Sequence, residues 1–251
     1  EDFNTAGAMG TLLRELQSLL HLDCPTVTGE TLGERLQAAP GFVDRTIIRS
    51  REEPFEDVGG LVALFGNLAP DGAILKRSAA DPTLFESTGR AVVFTSLEDL
   101  AERIDSDDLD VKADDVLVLQ NAGPKSPSGM PEAGYIPIPK KLARAGIKDM
   151  VRISDCRMSG TAFGTIVLHV TPETTVGGPI GLVQNGDEIR LSISNKSLDL
   201  LVDDQELERR RRTTPLKPAT PARGYAKLYA DHVTQAGQGA DFDFLMAPTK
   251  A

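Results

Sequence analysis

Cysteine is scarce in this chain: Cys24 and Cys156 are the only two in 251 residues. Two thiols cannot build a disulfide framework, nor alone a four-thiolate metal site. Histidine is almost as rare, and His21, His169 and His232 lie far apart. No cluster of histidine and carboxylate therefore has the spacing of a metal site. Positive charge is in short supply as well, with 27 Lys+Arg against 37 Asp+Glu and a net charge of −10. That balance excludes a sequence-independent nucleic-acid binder, which must displace counterions from phosphates. No apolar run approaches the roughly 20 residues that span a bilayer, and the opening residues do not read as a signal peptide. What is present is 40% hydrophobic and 25% charged, enough to build a core. The expectation is an acidic, cytoplasmic globular protein whose partners are neither nucleic acid nor membrane.

The chain opens Glu1-Asp2-Phe3-Asn4 without a Met and enters a helical pattern at once, which suggests a piece of a longer protein. Met9, Leu12, Leu13, Leu16, Leu19 and Leu20 recur at spacings of three and four, the pattern of one amphipathic helix over Thr5 to Leu20. Residues 28–36 read as a turn entering a second short helix, stopped at Pro40-Gly41. A bend at Glu53-Pro54 marks a change of composition, so a boundary is expected near 55: helices over 1–55, a second domain over 56–251.

Beyond it, short apolar runs are cut by Gly, Pro, Asn and Asp. Leu61 to Phe65, Ala73 to Leu75, Ala91 to Phe94, Val116 to Leu119, Val151 to Ser154, Gly164 to Val170, Ile189 to Ile193 and Leu198 to Val202 each suit a strand. Helices are expected over Leu97 to Ile104, Ile138 to Ala145 and Gln205 to Arg212. Many strands and few helices point to an α+β, mainly β fold, a barrel or sandwich with peripheral helices. The last residues, Phe242 to Ala251, read as a loosely held tail.

Four segments place Gly, Pro and polar residues where a core would want aliphatics: residues 66–72, 121–125, 129–132 and 155–164. In the last, a strand runs into Asp155, Arg157, Ser159, Gly160 and Thr161, groups that can converge on an anion. The plainer reading is a polar loop with Asp155 and Arg157 paired locally. Glu132 sits in a Pro/Gly-rich loop, which holds a carboxylate with little freedom; alone it reads as solvated. His169, on an apolar strand, reads as a satisfied core histidine, and Arg209 to Arg212 as a solvated helix end. Cys156 has no adjacent His to activate it and reads as structural.

The segments DCRMSGTAFGTIVLHVTPE and VGGPIGLVQNGD, with NLAPDG, QNAGPK, GMPE and ARAGIKDMVRIS, resemble the dihydroxy-acid and sugar-acid dehydratase family over nearly the whole chain. The run from QNAGPK to MVRISD looks more like the aldonate branch than the branched-chain amino-acid branch. The resemblance implies dehydration of a 2,3-dihydroxy acid to a 2-keto-3-deoxy acid. It also implies an iron–sulfur cluster acting as Lewis acid on the departing 3-hydroxyl, and Mg2+ holding the carboxylate and 2-hydroxyl. By the same resemblance Ser159 matches the base, Thr161 a neighbour that bonds substrate, and Glu132 a magnesium ligand. Arg157 and Gly160 would contact the substrate carboxylate. The run Lys125 to Gly129 replaces a more glycine-rich spacing, and Cys156 stands where a small residue is usual. Cys24 and Cys156 match none of the cluster ligands. The resemblance thus implies the closing helices of an N-terminal domain followed by a swivelling β-barrel-like domain, with the missing N-terminal domain and further copies (a dimer or tetramer) as partners. Alternatives are the dihydroxy-acid dehydratase of branched-chain synthesis and a free-standing, non-catalytic binding module.

Overall fold

The structure, a computed structural model, describes residues 1–39, 41–132, 136–160, 163–214 and 221–246. The chain divides into two compact units, Glu1–Gly59 and Gly60–Ala251.

In the first unit the expected single helix is broken. α1 (Asp2–Thr5) and α2 (Ala8–Glu15) are separated at Gly7, whose φ of +116° no L side chain adopts comfortably. A β-carbon there would lie 2.3 Å from Thr11 Oγ1 and 2.7 Å from the Phe42 carbonyl. α3 (Leu32–Ala38) begins with a capping box: Glu34 N–H donates to Thr31 Oγ1, and Thr31 N–H to Glu34 Oε2.

The second unit is built on one eight-stranded mixed sheet, in the spatial order β1-β2-β6-β5-β4-β3-β7-β8. In chain order these are β1 (Val62–Leu64), β2 (Gly72–Leu75), β3 (Glu86–Phe94), β4 (Val116–Leu119), β5 (Arg152–Ser154), β6 (Ile166–Thr171), β7 (Glu188–Ser192) and β8 (Ser197–Leu200). The four central strands, β3 to β6, are parallel, and both flanks are antiparallel. The edges nearly meet: Phe65 N–H donates to Lys196 O and Leu198 N–H to Phe65 O, bridging the ends of β1 and β8. The sheet is thus a barrel-like wall with few unpaired edge groups. The α+β, mainly β reading therefore holds, with α4 (Leu97–Arg103), α5 (Lys140–Arg144), α6 (Asp204–Thr213) and α7 (Tyr225–His232) at the periphery.

Strand polarity explains the unbroken apolar runs. Val116 and Val118 of β4 pack inside with Ala91, Val93, Val151, Ile153 and Val167. Leu117 and Leu119 face the opposite way, against Val92, Phe94 and Leu100 of α4. A parallel strand covered on both faces needs hydrophobes at every position. The expected helix 138–145 starts later because Pro139 serves as its cap. α7 was not anticipated, and none of it is buried.

Two surface readings are corrected. Arg210 is buried, pairs with Asp187 at 2.5 Å and donates to the Leu182 carbonyl, so the arginine run is not wholly solvated. The start of the tail is held: Phe242 bridges Val233 and stacks on Phe244, and Asp243 meets the His232 ring.

Candidate functional site

β4 and β5 run parallel with Leu119 opposite Ser154, so both chains leave the sheet at one end. Residues 120–132 follow β4 and residues 155–160 follow β5. The two exits are tied together: Arg157 N–H donates to Pro131 O at 3.4 Å, and Arg157 Nη2 lies 3.5 Å from Glu132 Oε2. Both side chains are about half exposed, at 48% and 46%, so this ion pair contributes little stability. Its value is positional, since it puts the Glu132 loop beside the turn that bears Ser159.

Asp155 does not pair with Arg157. It is fully buried, its Oδ1 accepting from Ala122 N–H at 2.8 Å and its Oδ2 from Thr174 N–H at 2.9 Å. Burial raises its pKa above the ordinary aspartate value, against those hydrogen bonds. Sequence reasoning missed its counterpart, Glu173. That carboxylate is 1% exposed, takes Lys125 N–H on both oxygens (2.9 and 3.0 Å) and receives Gln235 Nε2 at 2.6 Å. Burial lifts its pKa too, with Asp155 adding to the effect. The only signal in the sequence was an acid shortly after an apolar strand, beyond Pro172, which gives no hint of burial. Gly123 makes the contact possible: a β-carbon there would sit 2.3 Å from Glu173 Oε2.

The turn beyond Asp155 is held on its other side. Lys76 Nζ donates to the Gly160 carbonyl at 2.7 Å. Met158 N–H donates to His169 Nε2 at 2.9 Å. Ser159 is partly buried, and Thr161 lies outside the described residues. A cavity of about 500 Å³ opens at the same end of the sheet, lined in part by Gln120, Asn121, Thr174 and Arg211; none of the described candidate residues lines it.

Among the described residues no group of three or more His, Cys, Asp or Glu could hold a metal ion. Glu132, an exposed carboxylate with one loose partner, fits a magnesium ion as a single oxygen ligand. The thiols do not fit an iron–sulfur cluster: there are two, Cys24 exposed and Cys156 buried, where a cluster takes about four.

Residues 46–240 match the family described as dihydroxy-acid/6-phosphogluconate dehydratase, C-terminal. The chain belongs to that family. Among the dehydratases it resembles, it is 48% identical over 250 residues to the 6-deoxy-6-sulfo-D-gluconate dehydratase of Pseudomonas putida, an alignment covering 98% of this chain and 43% of the relative. It is 45% identical over 247 residues to the L-arabinonate dehydratase of Rhizobium leguminosarum bv. trifolii, covering 98% and 42%. Against the dihydroxy-acid dehydratase of Syntrophobacter fumaroxidans it is 40% identical over 244 residues, covering 96% and 43%. The chain thus spans less than half the length of these dehydratases. No helix among the described residues is long and apolar enough to cross a membrane.

Proposed function

We propose that this chain is the C-terminal portion of a dehydratase that converts a 2,3-dihydroxy sugar acid to a 2-keto-3-deoxy acid. The observation that carries the reading is the union of the Glu132 loop and the Ser159 turn through Arg157. Glu132 would hold magnesium; the ion, when bound, supplies positive charge where the substrate carboxylate and 2-oxygen become more negative.

In this scheme Ser159 takes the C2 proton, the 3-hydroxyl departs as water, and the enol gains a proton at C3 as it becomes the ketone. A serine hydroxyl is too weakly acidic to serve unaided at neutral pH. Two cations belong to the same turn: Arg157, two residues earlier, and Lys76, bonded to the Gly160 carbonyl. In this reading both would favour the alkoxide. Arg157 also offers its guanidinium to the substrate carboxylate, with the Gly160 backbone beside it and Thr161 bonding a substrate hydroxyl.

The described candidate residues do not line the cavity of about 500 Å³ at this end of the sheet, and in this reading their site is completed by surface from outside this unit. In this reading the first unit, with the expected 1–55 segment, closes an N-terminal domain against which the barrel swivels. That domain carries the iron–sulfur cluster, the whole works as a homo-oligomer, and this chain alone does not turn over substrate. The closer resemblance to the sugar-acid enzymes favours an aldonate over a branched aliphatic acid.

The test is turnover by the full-length protein of L-arabinonate, 6-deoxy-6-sulfogluconate and 2,3-dihydroxyisovalerate, in wild type, Ser159→Ala and Glu132→Gln. Ser159→Ala should abolish turnover with cofactor absorbance intact, and Glu132→Gln should weaken magnesium activation. Near-wild-type rate in Ser159→Ala removes the base assignment. Preference for dihydroxyisovalerate removes the sugar-acid assignment.

A further inference from the structure

β6 pairs with β2 through a break in register. Gly72 faces Thr171 and Ile74 faces Leu168, so His169 and Val170 together stand opposite Ala73, a β-bulge. The bulge resets the alternation of faces. Val167 packs in the inner core and Leu168 in the outer one, yet Val170 returns to the inner core, where strict alternation would have put residue 169.

The extra residue has φ +56°, the left-handed region that favours glycine. A non-glycine residue persists in such a conformation only where its surroundings hold it, and such residues gather at functional sites. Here the conformation aims the imidazole at the neighbouring strand exit. His169 Nε2 accepts Met158 N–H at 2.9 Å, and His169 N–H donates to Cys156 O at 3.0 Å. One residue therefore clasps both sides of Arg157 and ends one position short of Ser159.

We infer that His169 is a positioning residue, whose bulge-directed imidazole holds the turn bearing Ser159 in register with the Glu132 loop. This rests on the reading of Ser159 as the base. The acceptor role requires an unprotonated Nε2, so the neutral ring carries its proton on Nδ1. Burial, with the Arg157 charge, keeps the ring below the usual histidine range. Among the described residues, Asp71 lines with His169 a cavity of about 240 Å³.

Glycine and glutamine at this position separate holding the turn from merely filling space. Glycine suits the backbone and lacks the acceptor; glutamine can return an acceptor near Nε2. In the full-length protein, His169→Gly should keep its fold and cofactor absorbance while kcat falls at least about tenfold and KM moves less than about twofold. His169→Gln should recover most of kcat. In amide hydrogen exchange, Met158 should be protected in wild type and His169→Gln, and exposed in His169→Gly. Wild-type kcat in His169→Gly, unchanged Met158 protection there, or a glutamine variant no better than glycine would each overturn the inference. Ser159→Ala, assayed in parallel, reports separately on the base assignment, because exchange at Met158 does not depend on it.

Discussion

Asp155 and Glu173 grip the two ends of one turn: Asp155 Oδ1 takes the Ala122 N–H, and Glu173 takes the Lys125 N–H, with Gly123 pressed against the second carboxylate. The turn leads directly to Met130, whose N–H returns to the Gly123 carbonyl, and so to Glu132. Two buried acids thus set the position of an exposed one.

Replacing Asp155 by Asn supplies one acceptor where two backbone N–H groups need one each, and turns an NH2 toward the other. At about pH 4 the loss should be on the order of 1–3 kcal/mol. Burial raises the folded pKa above the unfolded value of 3.8, so the folded state holds the proton more tightly. The stability from this group is complete below the unfolded pKa and declines as pH rises through the folded one. The cost of Asp155→Asn should therefore shrink towards about pH 7. Urea unfolding at both pH values checks this; a cost that grows with pH contradicts it.

Gly123→Ala places a methyl group 2.3 Å from Glu173 Oε2 and 2.5 Å from its Cβ. Neither neighbour is the free end of a flexible chain, because Lys125 and Gln235 hold the carboxylate. Overpacking of this kind should cost about 1–3 kcal/mol and displace the Glu132 loop. A lowered melting temperature together with weaker magnesium activation of the full-length protein is the expected pair of results.

At the other side of the Ser159 turn, Arg152 and Asp149 form a buried ion pair at 2.6 Å, with side chains 3% and 7% exposed. Asp149 also accepts from Thr165 N–H and hydroxyl, and Arg152 donates to the carbonyls of Ile136 and Met150. Arg152→Met removes one charge and strands the other, which should cost about 3–5 kcal/mol. The shift of the urea midpoint measures it, and a loss under about 1 kcal/mol would mean that the remaining hydrogen bonds suffice.

For His169 the pH sign is opposite to that of Asp155. Its folded pKa lies below the unfolded 6.5, so the folded state binds fewer protons. Its contribution is complete above the unfolded pKa and is lost as pH falls through the folded one. Wild type should lose stability as pH falls below about 6.5 relative to His169→Gln, which cannot titrate. Parallel curves for the two proteins over that range would show that His169 does not titrate there.

Much of the sheet was readable in advance because β-branched and aliphatic runs bounded by Gly, Pro and Asn announce strands locally. Val116–Leu119 and Arg152–Ser154 lie within expected strands almost residue for residue. The arginine run shows where local reading stops. Arg209, Arg211 and Arg212 pair with Glu206 or Glu208 on their own helix, whereas Arg210 reaches Asp187, 23 positions away. Nothing within a few residues of Arg210 distinguishes it from its neighbours.

By itself the sequence determined the strand-rich composition, the punctuation between strands, and the motifs that align the chain with the dehydratases, all carried by residues within about ten positions of each other. Only the tertiary structure decided that β3 to β6 run parallel, that Arg157 turns to Glu132 while Asp155 goes underneath, and that His169 occupies a bulge facing Met158. Those outcomes depend on strand order and register, which are set by packing of both sheet faces and by hydrogen bonds between distant segments. A side chain's partner is then whichever group the assembled sheet brings within reach.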